Sequence, residues 1–319
     1  MRLSTRVLLP WTISAFCLAG WVRGFAQESP ADAKEEQEQQ EGSHSRFLRI
    51  VRDRQKVPIR LEAAIVRHVP QDCSRDWPTV DLIGAVHVAE KSYYEELNRQ
   101  FEKYDVVLYE LVAPEGTRVP KGGPTSTSGN PVSMLQTGMT GLLNLEFQLK
   151  GIDYTKSNLV HADLSPDEFA RTMQKRGEST LQVFLRMMGY AMARQGGKEG
   201  GPSDGQLLLA LLNKNRALAL KRVMAEEFED MDGQLTAISG PDGSTLITER
   251  NKRALEVLAK QIDAGKKRIG IFYGAGHMAD MQKRLKDEFG LTPISTRWLP
   301  AWNMASPAKP AEKKQAGPG

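Results

Sequence analysis

Cysteine is scarce: the 319 residues hold two, Cys17 and Cys73. Cys17 lies in an amino-terminal stretch laid out as a secretory signal. Arg2 and Arg6 make a basic start, Val7 to Val22 is mostly apolar, and Gly24-Phe25-Ala26 offers small residues at a cleavage position. Cleavage after Ala26 is expected, and an internal disulfide is then excluded. An exported chain without one must rest on its core, and about 260 residues can bury one without staples. Cys73 sits in Gln71-Asp72-Cys73-Ser74, a polar loop without the glycine elbow of a nucleophile. Phe16 stands before Cys17, where a lipoprotein signal wants a small residue.

Long apolar runs are also lacking. Val7 to Val22 is interrupted by Pro10 and falls short of the roughly 20 residues of a membrane span. An uncleaved anchor is the alternative; the expectation is a periplasmic or extracellular protein with no stable membrane anchor after cleavage. Charge of one sign is missing too. The chain has 43 Lys+Arg and 39 Asp+Glu. The signal removes Arg2, Arg6 and Arg23 and no acid, which leaves 40 against 39. Such a balance gives no reason to expect a nucleic acid or an anionic surface as partner. H-E-x-x-H, G-x-S-x-G and P-loop patterns are absent.

What is present begins with composition. Residues 27–45 are Glu- and Gln-rich without apolar periodicity and read as a disordered linker. Residues 305–319 are rich in Pro, Ala, Lys and Gly and read as a tail. The folded domain is expected over residues 46–304. It opens with two extended runs, 46–51 and 59–67, expected as an antiparallel pair at a sheet edge. His68 follows them as a surface histidine.

The organising stretch runs from Val80 to Leu111 and reads as strand, helix, strand. Val80 to Ile83 is apolar but for Asp81 and ends at Gly84, and His87 follows in the turn. Ser92-Tyr93-Tyr94-Glu95 fits a capping box, and Tyr93, Leu97, Phe101 and Tyr104 recur at helical spacing. Val106 to Tyr109 is a second buried-type strand, and Glu110 stands at its end. A crossover of this length predicts parallel strands, with His87 and Glu110 at one sheet edge. Open α/β sheets place ligands there. The device repeats late in the chain. Ile269 to Tyr273 is apolar, Gly274-Ala275-Gly276-His277 follows, and Met278, Met281, Leu285 and Phe289 mark a helix closed by Gly290. G-x-x-H therefore occurs twice in one structural slot.

The segment between adds a third strand end. Residues 157–161 read as a strand, Asp163 follows, and Ser165-Pro166-Asp167-Glu168 starts a helix. Asp163 either joins the site or satisfies local amides. Residues 113–134 are Gly-, Pro-, Ser- and Thr-rich and read as a mobile flap beside the site, with a helix expected over 142–149. Helices over 181–193 and 206–228 are expected as a cap, the Leu-rich second one buried and Met187, Met188 and Met192 packed within. A helix over 245–262 carries Arg250 in its first turn, where a cation opposes the dipole unless an acid is near.

Two imidazoles and one carboxylate, His87, His277 and Glu110, are a common ligand set for a divalent metal. The same residues also suit metal-free chemistry, with one histidine as general base, Glu110 orienting it and Arg250 holding an oxyanion. Hydrogen-bonded caps at sheet ends are the structural alternative. Gly274-Ala275-Gly276-His277-Met278-Ala279 matches a dinucleotide fingerprint, but the acid it needs at the end of the next strand is missing from 291–298.

D-L-I-G-A-V-H with Y-Y-E-E-L, D-V-V-L-Y-E-L, T-E-R-N and G-I-F-Y-G-A-G-H-M together resemble the TraB/PrgY/GumN family. Its wider relatives are the TIKI proteases, ChaN-type proteins and erythromycin esterases. The resemblance covers about Val80 to Trp298. It implies an α/β fold whose central mixed, mainly parallel sheet has flanking helices and a helical cap insertion. It also implies a site of His87, His277 and Glu110, with Arg250 brought in by the T-E-R-N match. The expectation is an exported metal-dependent hydrolase using Zn, Mn or Co on an amide or ester bond of a small molecule or peptide, Arg250 stabilising the developing anion and Asp163 supporting it. A metal-free esterase and a non-catalytic binder of haem or a peptide signal stand as alternatives.

Overall fold

The computed structural model describes residues 47–72, 77–123, 141–179, 182, 204–228, 239 and 243–306. The expected signal, linker and most of the tail, Cys73, most of the flap, the helix over 181–193 and its methionines lie outside the described residues, Gln182 apart.

Seven strands form one sheet: β1 (Leu48–Arg52), β2 (Pro58–Pro70), β3 (Thr79–Ala85), β5 (Val106–Tyr109), β7 (Leu159–His161), β8 (Arg268–Gly274) and β9 (Leu291–Asn303). The order is β1-β2-β3-β8-β5-β7, with β9 on the other side of β2. β2 is antiparallel to β1, β3 and β9, while β3, β8, β5 and β7 pair in parallel. β2 is therefore the one reversed strand in a sheet of mostly parallel strands, and the fold is α/β. The expected antiparallel opening pair forms, but β2 is not an edge, because β9 runs along its whole length. The two strands of the unit from Val80 to Leu111 are parallel as expected, with β8 between them.

Side-chain alternation explains the two cores. Ile83, Ala85, Val107, Tyr109 and Phe272 face one side and pack with helix α1 (Lys91–Phe101). Val80, Leu82, Val106, Leu108, Ile269 and Ile271 face the other. There they meet α6 (Arg250–Asp263) through Leu255 and Leu258, and α7 (Met278–Phe289) through Met281 and Leu285. Gly290 ends α7 in the left-handed region, φ 65°, which a residue with a Cβ rarely adopts.

Several local expectations are corrected. Helix α1 starts at Lys91, and no side chain caps it. Strand β4 (Val88–Ala89) pairs with β6 (Glu146–Phe147), and Glu90 N–H donates to Ala301 O, which places the helix start ahead of Ser92. The helix expected over 142–149 is broken: Asn144 has φ 56°, β6 follows, and only the short α2 (Gln148–Gly151) is helical thereafter. Helix α3 (Pro166–Lys175) starts where expected, and Ser165 and Glu168 form a reciprocal capping box. The Leu-rich segment is two helices, α4 (Asp204–Leu211) and α5 (Arg216–Glu227), with Asn215 accepting from Leu218 N–H as the second N-cap. It is not buried: Leu208, Leu209 and Leu212 are 58, 70 and 76 % exposed, while Leu220 and Ala225 of α5 join the first core. His68 is not at the surface but fully buried, with Nδ1 on Val66 O. Burial pushes its pKa down.

Candidate functional site

The parallel register sets the site. Ala85 is level with Gly274, and Tyr109 with both Phe272 and His161. Everything just after these strands emerges at one carboxyl edge. His87, Glu110 and His277 line one cleft there, of about 480 Å³, and Arg250 joins them. Its apolar wall includes Val86, Leu143, Met224, Phe228 and Trp302. Phe228 meets Trp302 edge to face at 5.4 Å, and Trp302 Nε1 donates to Val88 O at 2.7 Å. The wall thus joins α5 to β9.

Arg250 is the hub. Its Nε and Nη2 donate to Asp163 Oδ1 and Oδ2 at 2.9 and 2.6 Å, and Nη2 also donates to Glu110 Oε1 at 2.7 Å. The remaining arm, Nη1, has only long contacts: 3.5 Å to Leu246 O and 3.4 Å to His277 Nε2. A cation in a first helical turn is thus matched by two acids. Its aim is set locally. The expected continuous helix over 245–262 is instead a π-helical turn (Thr245–Glu249) leading into α6 at Arg250. Such turns are frequent at functional positions. Asp163 both pairs with Arg250 and satisfies a local amide, since Oδ1 also accepts from Leu164 N–H at 2.8 Å.

Glu110 Oε2 accepts the Gly274 N–H at 2.6 Å. Burial alone would raise its pKa, but His277, Arg250 and His87 outweigh this and hold it at about 2. Gly274 is needed for close approach. A Cβ there would stand 3.0 Å from His87 Nε2 and 3.3 Å from Glu110 Oε2. The first histidine and the glutamate therefore converge on one backbone position of the second G-x-x-H motif.

The two histidines are held differently. His277 is buried in a 3₁₀ turn (Ala275–His277), packed edge-on against Tyr273 at 5.3 Å. Its Nδ1 lies 2.7 Å from Asn251 Oδ1. Asn251 Nδ2 donates to His277 O and Asp280 Oδ2, which fixes the amide so that its oxygen faces the ring. Nδ1 then carries the proton, and Nε2 is bare. Burial, with Arg250 and His87 adding and Glu110 and Asp163 opposing, lowers the His277 pKa to about 4. His87 is exposed. Its Nδ1 lies 2.8 Å from Gln148 Oε1, and Gln148 Nε2 donates to Tyr154 OH. With the amide in that orientation, His87 also keeps Nε2 bare.

All five expected residues, His87, Glu110, Asp163, Arg250 and His277, are thus brought together, Asp163 from behind the cleft. The positioning groups Gln148 and Asn251 were not singled out from sequence. Asn251 stands next to Arg250 in T-E-R-N, which was the available signal; Gln148 lies 61 residues from His87 with no local mark. The fit of a Zn, Mn or Co ion to His87, Glu110 and His277 is poor in this arrangement. The guanidinium lies against both Glu110 Oε1 and His277 Nε2, where a bridging cation would sit. Among the described residues no three His, Cys, Asp or Glu side chains form a ligand group. No protein-family model, curated protein or solved structure matches the chain.

Proposed function

We propose that the cleft is the active site of a hydrolase that cuts an amide or ester bond of a small molecule or peptide by acid–base chemistry. The observation that supports this most is the convergence of His87 Nε2 and Glu110 on Gly274, beside the one loosely held arm of Arg250. The resemblance to the TraB/PrgY/GumN family, in which hydrolases occur, points the same way.

The substrate carbonyl oxygen accepts from Arg250 Nη1. His87 Nε2 takes a proton from water as the water oxygen bonds to the carbonyl carbon. The π pair moves to the oxygen, where Arg250 stabilises it. As the oxyanion reforms the carbonyl, the C–N or C–O bond breaks and the leaving group takes the proton from His87. Gln148 holds the His87 Nδ1–H. His277 is unsuited as the base: its pKa is about 4, and its Nε2 already faces Arg250. It keeps the arginine arm aimed. No step is routed through a metal: Arg250 supplies the positive charge beside Glu110 and His277.

The test is turnover of activated esters and anilides by the mature protein, with and without chelator. Turnover that survives chelation and is lost in His87→Ala supports the reading. Turnover that needs added Zn, Mn or Co replaces it with the metal-dependent one. Ligand binding without turnover would mark a non-catalytic binding protein.

A further inference from the structure

The cleft restricts what it can take by charge as well as by shape. Among its described lining residues the permanently charged groups are Glu110 and Arg250, and Asp163 stands behind them. Two carboxylates against one guanidinium leave one net negative charge. His277 is neutral and adds none. Donors are largely spent: Arg250 Nε and Nη2 on the acids, and Gly274 N–H on Glu110 Oε2. Acceptors are not. A carboxylate oxygen has two lone-pair sites, and Oε2, on a residue that lines the cleft, uses one of them on Gly274 N–H. A ligand carboxylate or phosphate would meet like charge in an apolar surround, where repulsion is poorly screened. A ligand ammonium would meet an acceptor of opposite charge, and His87 Nε2 would stay free for water.

We propose that the cleft takes substrates whose acyl part carries a free, protonated amine on an apolar body, the class of aminoacyl esters and amides with a hydrocarbon side chain. The ammonium donates to Glu110 Oε2. The hydrocarbon lies against Met224, Phe228 and Trp302. The carbonyl oxygen reaches Arg250 Nη1. This rests on the hydrolytic reading for the position of the scissile bond, but the ammonium site can be measured without turnover.

The experiment has two arms on the mature wild-type protein. Calorimetry compares isoamylamine, isoamyl alcohol and 4-methylpentanoate, which share a hydrocarbon body and differ in head charge. A charged hydrogen bond is expected to make the amine about tenfold tighter than the alcohol or more, with the carboxylate weakest. Turnover then compares a leucyl ester with its N-acetyl and 4-methylpentanoyl counterparts, and the free-amine ester should be fastest by about tenfold or more on the same argument. Amine selectivity in binding without turnover of any ester upholds the ammonium site and removes the hydrolytic reading. Turnover of all three esters at equal rates, with no preference for the amine in calorimetry, overturns the proposal and leaves that reading standing. Glu110→Gln should abolish the amine preference; a variant that keeps it would overturn the assignment to Glu110. The wild-type comparisons decide the matter even if that variant fails to fold.

Discussion

Arg250 Nη2 holds Glu110 Oε1 at 2.7 Å across 140 residues of chain, and the same nitrogen lies 2.6 Å from Asp163 Oδ2. Arg250 and Asp163 are buried, and their pairing fixes a guanidinium whose third arm faces the cleft. Removing Asp163 leaves Glu110 to match the charge but strips a buried guanidinium of two hydrogen bonds, including the one on Nε. Asp163→Ala should cost about 1–3 kcal/mol of stability. Arg250→Lys should also lose stability, since an ammonium cannot serve both acids in fork geometry. Urea unfolding of the two variants checks this; an Asp163→Ala protein as stable as wild type would show that the pair does not anchor the site.

Asn251 should matter through the His277 tautomer. Nitrogen NMR of the imidazole should show the proton on Nδ1 and a bare Nε2. Asn251→Ala should mix the tautomers and lower turnover by no more than His277→Ala does, since Asn251 acts through that ring. A proton found on Nε2 in the wild type would refute the hydrogen-bond assignment.

Acid should weaken the fold in two stages. Burial and its charged neighbours depress His277 from its ordinary 6.5 to about 4, so the unfolded chain binds this proton more readily than the folded one. Its contribution is complete above pH 6.5 and is lost as pH falls towards about 4. Glu110, depressed from 4.5 to about 2, contributes fully above 4.5 and loses this towards about 2. Denaturant midpoints measured from pH 7.5 down to 4 should fall below about 6.5, and His277→Gln should flatten the upper stage. A midpoint that rises on acidification over this range would contradict the His277 shift.

Gly274→Ala separates positioning from stability. The added methyl meets the ends of the His87 and Glu110 side chains rather than backbone, so both can give way. Stability should change by about 1 kcal/mol or less. The two side chains must each shift by a few tenths of an ångström, less than the 1 Å that costs about 100-fold, so turnover should fall by about 10-fold. Melting curves together with rates test it; lost stability with preserved rate would reverse the interpretation.

Much of this arrangement was legible where local pattern and tertiary role agree. The runs ending at Ile83, Tyr109 and Tyr273 are strands covered on both faces of the sheet, so they are apolar on both sides apart from Asp81, which is buried against Arg67 and Tyr104. Glycine after such a run marks a tight turn at the carboxyl edge, and the histidines and Glu110 follow from that. Ser92 misled because a two-residue bridge at Val88 and Ala89 sets the helix start, and its partner at Glu146 and Phe147 is remote in sequence. The Leu-rich segment misled for another reason. A helix apolar all round shows no preferred face, and Asn213 and Asn215, which interrupt it, were passed over. Gln148 and the insertion of β8 between β3 and β5 are contacts between distant segments, which one sequence does not mark.

The most direct measurement is turnover in His87→Ala and His277→Ala beside the wild type, over a panel of esters and anilides, with melting temperatures for all three. Both residues lie in turns at the cleft, and neither substitution empties a strand position in the core. The account predicts a wild type active after chelation, about 100-fold or greater loss in His87→Ala, as expected for removal of a general base, and a smaller loss in His277→Ala. The His87→Ala protein should melt as the wild type does. Equal activity in all three proteins, or losses that only follow falling melting temperatures, would contradict it.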